Sequence, residues 1–171
     1  MAIRADGKDW TWVVERACPD CGFDPESVDY DEIPHLVRRG AGRWPAVLSR
    51  DDAAQRPNET SWSALEYAAH LRDVCEVFRE RLESMLTRDD PSFEDWDQNA
   101  AAIDGTYGDQ DPATVARELV EGGGRTAGAF AGVPVELRSR SGRRGDGVRF
   151  TVGTLALYFA HEHVHHLWDV G

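Results

Sequence analysis

Four of the six histidines in this 171-residue chain fall within six residues, in the run His161-Glu162-His163-Val164-His165-His166. The run lies in Thr151 to Val170, which reads as a helix. Thr151 suits its N-cap, and Phe150 and Leu155 are spaced as a hydrophobic staple. A helix stacks residues i and i+4 on one face. Two pairs of metal-ligating type share that spacing here, His161 with His165 and Glu162 with His166. Either could hold two corners of a divalent-cation site from one helix, as HExxH helices do. The pairs are offset by one residue, about 100° of helix rotation, so they cannot face one interior equally. A third donor must come from another element. Apart from His35, the remaining histidine is His70, in a second strongly helical segment. The chain therefore reads as a helical scaffold that carries His70 to the terminal helix.

Physics leaves the choice of pair open. The stripe Leu155-Phe159-Glu162-His166-Val170 is apolar around its polar members, as an inward face is, but Leu157-His161-Val164-Trp168 is also partly apolar. A buried acid without a partner is costly, so Glu162 on an inward face nearly demands a cation. The plainer alternative is a solvated, charged C-terminal helix. Asp169, one turn beyond His166, is placed to orient that imidazole.

The remaining helices follow from start and stop signals. Tyr30 to Leu48 reads as the first, with Pro34, Gly40, Gly42 and Pro45 weakening it. Ser63-Ala64-Leu65-Glu66 fits a capping box, with Trp62 and Tyr67 as its staple, and opens a second helix running to about Thr87. A third opens at Asp111 with Pro112 at its first position, and Gly122-Gly123-Gly124 is expected to weaken or break it before Phe130. Residues 131–150 read as a long connection, and the tract Arg138 to Gly147 as an exposed, flexible crossover. Four helices with one long crossover make an all-α four-helix bundle, whose facing helices commonly carry metal ligands inward.

Residues 1–28 read as an N-terminal extension ahead of a bundle domain at 29–171. The extension contains Cys18-Pro19-Asp20-Cys21-Gly22, which looks like half of a zinc knuckle or a redox pair. No second Cys-x-x-Cys follows, and completion by Cys75 and His35 would need an unlikely packing coincidence. A tight turn with two half-buried thiols is the expected state.

Composition limits the partners. The net charge is −12, from 31 acidic and 19 basic side chains, which argues against non-specific binding to nucleic acid or to anionic membranes. No apolar run approaches a bilayer span. The opening Met1-Ala2-Ile3-Arg4-Ala5-Asp6 has no apolar core of a secretory signal, and three cysteines suggest no disulfide framework, so a cytoplasmic location is expected.

The pattern Trp62-Ser63-x-x-Glu66-x-x-x-His70, followed by a His-rich i, i+4 pair in the last helix, resembles the DinB/YfiT-like superfamily. The likeness spans Tyr30 to Val170. Cys18 to Asp24 and Trp96-Asp97-Gln98 look like one DinB-like subgroup. The resemblance implies a four-helix bundle with a divalent metal held by one side chain of helix two and two of helix four. Superfamily members often end in His-x-x-His-His-x-x-Gln. Anchoring on the His-His pair aligns His166 and Glu162 with the ligands, and the isomerase branch, with Glu-x-x-x-His-x-x-Asp, resembles Glu162, His166 and Asp169. The implied ligands are then His70, Glu162 and His166, with His161 and His165 as the rival pair. The same resemblance puts Tyr67 and Asp97 at the pocket mouth.

The activity it implies is a thiol-dependent S-transferase or isomerase of the mycothiol type, in which zinc or nickel activates a thiolate on behalf of a small-molecule substrate. A metal-dependent hydrolase on the same scaffold and a non-enzymatic metal- or ligand-binding bundle are the alternatives. Two nitrogens and one carboxylate leave coordination positions open, the pattern of catalytic rather than structural zinc. A homodimer is one arrangement the resemblance allows.

Overall fold

The helix starts are set by side chains that satisfy the first free backbone N–H groups. Ser63 and Glu66 form both halves of the capping box: Glu66 N–H donates to Ser63 Oγ at 3.2 Å, and Ser63 N–H to Glu66 Oε2 at 2.8 Å. They open Ala64–Thr87. Asp111 accepts from the Thr114 N–H at 2.8 Å and opens Pro112–Ala131. Thr151 and Thr154 cap each other at the start of Val152–Asp169. In this computed structural model, which describes residues 10–171, the helices are α1 (Ile33–Ala41), α2 (Trp44–Leu48), α3 (Ala64–Thr87), α4 (Gln98–Asp104), α5 (Pro112–Ala131) and α6 (Val152–Asp169). The opening segment Met1 to Asp6, read above for a signal peptide, lies outside the described residues.

Four of these helices form the walls of a bundle. α1 packs on α5 and α6, and α3 packs on the same two, so the order around the core is α1, α5, α3, α6. Phe159 of α6 sits at the centre, fully buried, with ring centroids 5.3 Å from Phe78 on α3 and 5.7 Å from Phe130 on α5. Each such aromatic contributes about 1.5–3 kcal/mol by leaving water. These contacts fix the rotation of α6 about its axis, and hence where its histidines point.

The first helix is not continuous. A 3-10 turn at Tyr30–Glu32 leads into α1, and the chain re-forms as α2 after a break at Gly42 and Arg43, with Pro45 in the first turn of α2. The glycine run at 122–124 breaks nothing, contrary to expectation: α5 continues through it to Ala131. The physical reason is close approach. A Cβ on Gly123 would lie 3.0 Å from the Ala41 Cβ, and one on Gly122 3.5 Å from the Cys75 Cβ. Tight packing on α1 and α3 offsets the entropy that glycine costs a helix.

The crossover is also more ordered than its composition suggests. Ser141–Arg144 (β2) and Arg149–Thr151 (β3) form an antiparallel hairpin, and β2 pairs in parallel with Ser92–Phe93 (β1), in the order β1-β2-β3. The arginine tract, expected to be an exposed flexible loop, is held by specific acceptors. Arg140 Nε donates to the Met85 carbonyl at 2.6 Å, and Arg138 pairs with Asp31 at 2.7 Å. Among the described residues no helix is long and apolar enough to cross a membrane.

The two faces of the glycine run give opposite expectations. Gly123→Leu is expected to destabilise by about 1–3 kcal/mol by overpacking against α1. Gly124, with nothing within 4 Å of its Cβ position, should gain up to about 1 kcal/mol as Gly124→Ala. Chemical denaturation of both variants reads the difference.

Arg56 supplies a pH test. Burial pushes Glu66 up, but hydrogen bonds from Arg56 and Ser63 outweigh it and hold the carboxyl below its ordinary 4.5. A depressed acid stabilises the fold above 4.5 and loses that contribution as pH falls through the folded value. Arg56→Met is therefore expected to lower stability by about 1–3 kcal/mol at neutral pH. The gap should close in acid, as followed by denaturation at a series of pH values.

Candidate metal centre

Two turns into α3, His70 points across the bundle at α6. Its Nε2 lies 3.5 Å from Glu162 Oε2, and the same oxygen lies 3.2 Å from His166 Nε2. The three donor atoms are all within 4.8 Å of one another. The i, i+4 spacing brings Glu162 and His166 onto one face, and the packing of Phe159 turns that face toward α3. The other ring nitrogen of His166 is held by Asp169: Nδ1 and Oδ2 are 2.8 Å apart. This fixes the imidazole with Nε2 toward Glu162.

Aromatic rings brace the donors from outside. Trp96 stacks on His70 at 5.3 Å, Trp62 tilts against its ring at 5.4 Å, and Tyr67 packs on His166 at 5.0 Å. The expected staple between Trp62 and Tyr67 is present, with centroids 5.5 Å apart.

Electrostatics give the cluster its demand for positive charge. Burial pushes the Glu162 carboxyl up, but His166 and His70 outweigh it and hold it well below the usual carboxylate range. Burial lowers His70, so that ring is a neutral lone-pair donor at physiological pH. Burial also opposes charge on His166, yet Asp169 and Glu162 together raise it to about 9. The anion is thus balanced by a proton on His166, and a divalent cation answers the same demand. Two imidazole nitrogens and one carboxylate oxygen suit zinc or nickel and leave further coordination positions for a ligand.

Beside the donors lies a cleft of about 240 Å³. Val74, Phe78 and Trp96 form its apolar side; Arg81, Arg144 and Tyr158 supply polar groups. Arg81 is buried, its guanidinium 5.6 Å from the Phe78 ring and 5.1 Å from the Phe93 ring. Arg144 pairs with Asp146 at 2.6 Å and with Asp95 at 3.6 Å, so its charge is largely compensated.

The other sequence candidates fall elsewhere. His161 and His165 turn away from His70 and meet Cys18 and Cys21 of the N-terminal segment. Cys75 instead faces His163, with Sγ 3.8 Å from Nε2, and His35 is exposed on α1. Asp97 caps α4, accepting from the N–H groups of Asn99 and Ala100. The neighbouring Trp96 and Gln98 line the cleft. The terminal helix is not a solvated one: His161, His163 and His165 are all buried.

Sequence reasoning passed over the cleft walls, though part of the signal was there. Val74 and Phe78 follow His70 at helical spacing, and Tyr158 precedes Glu162 by four residues. Arg144 carries no such signal, because it reaches the site only through the hairpin.

A four-helix bundle with a cluster of metal-ligating side chains between its second and fourth walls is the class of protein that fold and site define. The DinB superfamily model matches residues 43–170, and the chain belongs to that superfamily. Among solved structures it is similar to YfiT from Bacillus subtilis, described as a probable metal-dependent hydrolase with an unusual four-helix bundle topology. The TM-score is 0.67 at 20% identity, covering 85% of this chain and 89% of that one. At that identity the likeness establishes the fold. No curated protein matches the sequence.

Proposed function

We propose that the chain is a divalent-metal-dependent enzyme whose metal ligands are His70, Glu162 and His166. In this reading it is an S-transferase or isomerase that uses a low-molecular-weight thiol such as mycothiol. One observation carries the assignment: a carboxylate whose side chain is only 12% exposed lies between two imidazole nitrogens at 3.2 and 3.5 Å and opens onto a cleft. Zinc or nickel, when bound, supplies Lewis acidity that lowers the pKa of a coordinated thiol or water.

The chain's own residues would do the rest. Asp169 keeps His166 Nε2 turned toward the metal, and Trp62 and Trp96 hold the His70 ring in place. Val74, Phe78 and Trp96 exclude water from one side of the cleft. Tyr158, Arg81 and Arg144 offer hydrogen bonds to substrate. Arg144 is compensated by Asp95 and Asp146, whereas Arg81, which donates to the Glu94 carbonyl at 3.3 Å, keeps its charge at the cleft and would hold a polar or anionic group of the substrate. The hydrolase reading uses the same ligands with water in place of the thiol. The description of YfiT as a probable metal-dependent hydrolase supports that alternative.

Metal analysis and kinetics separate the readings. His70→Ala is expected to lose the metal at this centre while keeping its helical circular dichroism. Depletion of an electrophile such as a bimane by the metal-loaded protein should rise with added thiol. A rate indifferent to thiol removes the transferase reading, and ester cleavage under the same conditions would favour the hydrolase. Asp169→Asn is expected to weaken metal binding at this centre by about 10–100-fold, measured by competition with a chelator.

A further inference from the structure

The second cluster on α6 belongs to no part of the reading above. Its members are Cys18, Cys21, His161 and His165, and their donor atoms all lie within 4.8 Å of one another. We propose that these four side chains form a second, closed zinc site that fastens the N-terminal segment to the terminal helix.

The donor set and its geometry carry the proposal. Zinc–sulfur bonds of about 2.3 Å and zinc–nitrogen bonds of about 2.0–2.1 Å in a tetrahedron put sulfur and nitrogen roughly 3.6 Å apart. Cys18 Sγ and His165 Nδ1 are 3.7 Å apart. The turn that presents the thiols has the backbone of a knuckle. Cys18 N–H donates to the Phe23 carbonyl at 2.8 Å, Gly22 N–H donates to the Cys18 carbonyl at 2.9 Å, and Gly22 takes φ +73°, where a side chain would be strained.

His161 supplies an independent observation. It is 1% exposed, and neither of its ring nitrogens has a hydrogen-bond partner among the described residues. A buried polar atom left unpaired costs about 1–3 kcal/mol, and a metal bond at one nitrogen removes that cost there. His165 is oriented as a ligand is, with Nε2 facing Asp169 Oδ1 at 3.7 Å and Nδ1 facing Cys18. Trp10 covers both imidazoles, with centroids 5.4 Å from His161 and 4.6 Å from His165, and Phe23 packs edge-on to His161 at 5.7 Å. Four protein donors under an aromatic lid leave no position for substrate, so this centre is structural.

Charge balances as well. Zinc displaces one proton from each thiol to solvent, and two thiolates with two neutral imidazoles make a site of zero net charge, which suits burial. Asp169 is common to both centres, Oδ2 on His166 and Oδ1 near His165. The structural zinc would thereby help position the outer partner of the catalytic one.

Cobalt substitution of the full-length chain tests the proposal. Cobalt held by two thiolates gives sulfur-to-metal charge-transfer absorption, whereas the His70, Glu162 and His166 centre contains no sulfur and gives none. Wild-type protein and the Glu162→Gln variant are both expected to show the charge-transfer band, saturating at about one cobalt per chain for this site. The band should lose about half its intensity or more in Cys18→Ser and disappear when Cys21→Ser is added to it. His161→Cys should keep a band, shifted by a third thiolate, which guards against a variant that merely fails to fold. Absence of the band in folded wild-type protein would overturn the proposal. So would a Cys18–Cys21 disulfide, two hydrogens lighter by mass spectrometry, in protein purified with zinc present. Loss of metal from the other centre alone leaves this result unaffected, so the two readings fail separately.

Discussion

The structure turns on how α6 is rotated in the bundle. Phe159 locks it between Phe78 and Phe130, and that packing commits every other residue of the helix to a direction. Glu162 and His166 then face α3, and His161 and His165, about 100° away, face the N-terminal segment. One helix thus presents two i, i+4 donor pairs to two different partners. A rotation large enough to spoil one cluster would spoil the other, so the aromatic core and the polar clusters constrain each other.

Burial decides what those clusters can do. The carboxylate of Glu162 stays ionised inside the protein because imidazoles and a shared positive charge surround it. The same low-dielectric setting makes a histidine such as His161, without a hydrogen-bond partner among the described residues, expensive. One cluster adjoins a cleft and has three donors; the other lies under Trp10 and Phe23 and has four. In the proposed assignments, openness and donor count separate a reactive centre from a fastening, although both draw on the same six residues of sequence. Asp169 joins them through one carboxylate, with an oxygen toward each.

The fold around these centres shows tertiary packing overriding local preference. Three glycines in a row fail to break α5, and at the middle one, Gly123, α1 comes within 3.0 Å of where a side chain would begin. A polar, arginine-rich tract becomes a hairpin because its guanidiniums find carbonyls and carboxylates on α3 and its neighbours. That hairpin carries Arg144 to the cleft. These features follow from contacts made across distant parts of the chain.

Much was legible in the residues themselves. The starts of α3, α5 and α6 follow from Ser63, Asp111 and Thr151, whose caps act within three residues and need no tertiary partner. The two donor pairs on α6 follow equally from helical geometry, as does the partnership of Asp169 with His166. Which pair meets His70 did not follow, nor did the meeting of Cys18 and Cys21 with His161 and His165. The Cys18 and His165 contact joins residues 147 positions apart. Helical periodicity states which side chains share a face. Only the packing of the whole bundle decides what that face meets, because that choice depends on the summed burial of α1, α3 and α5 against α6.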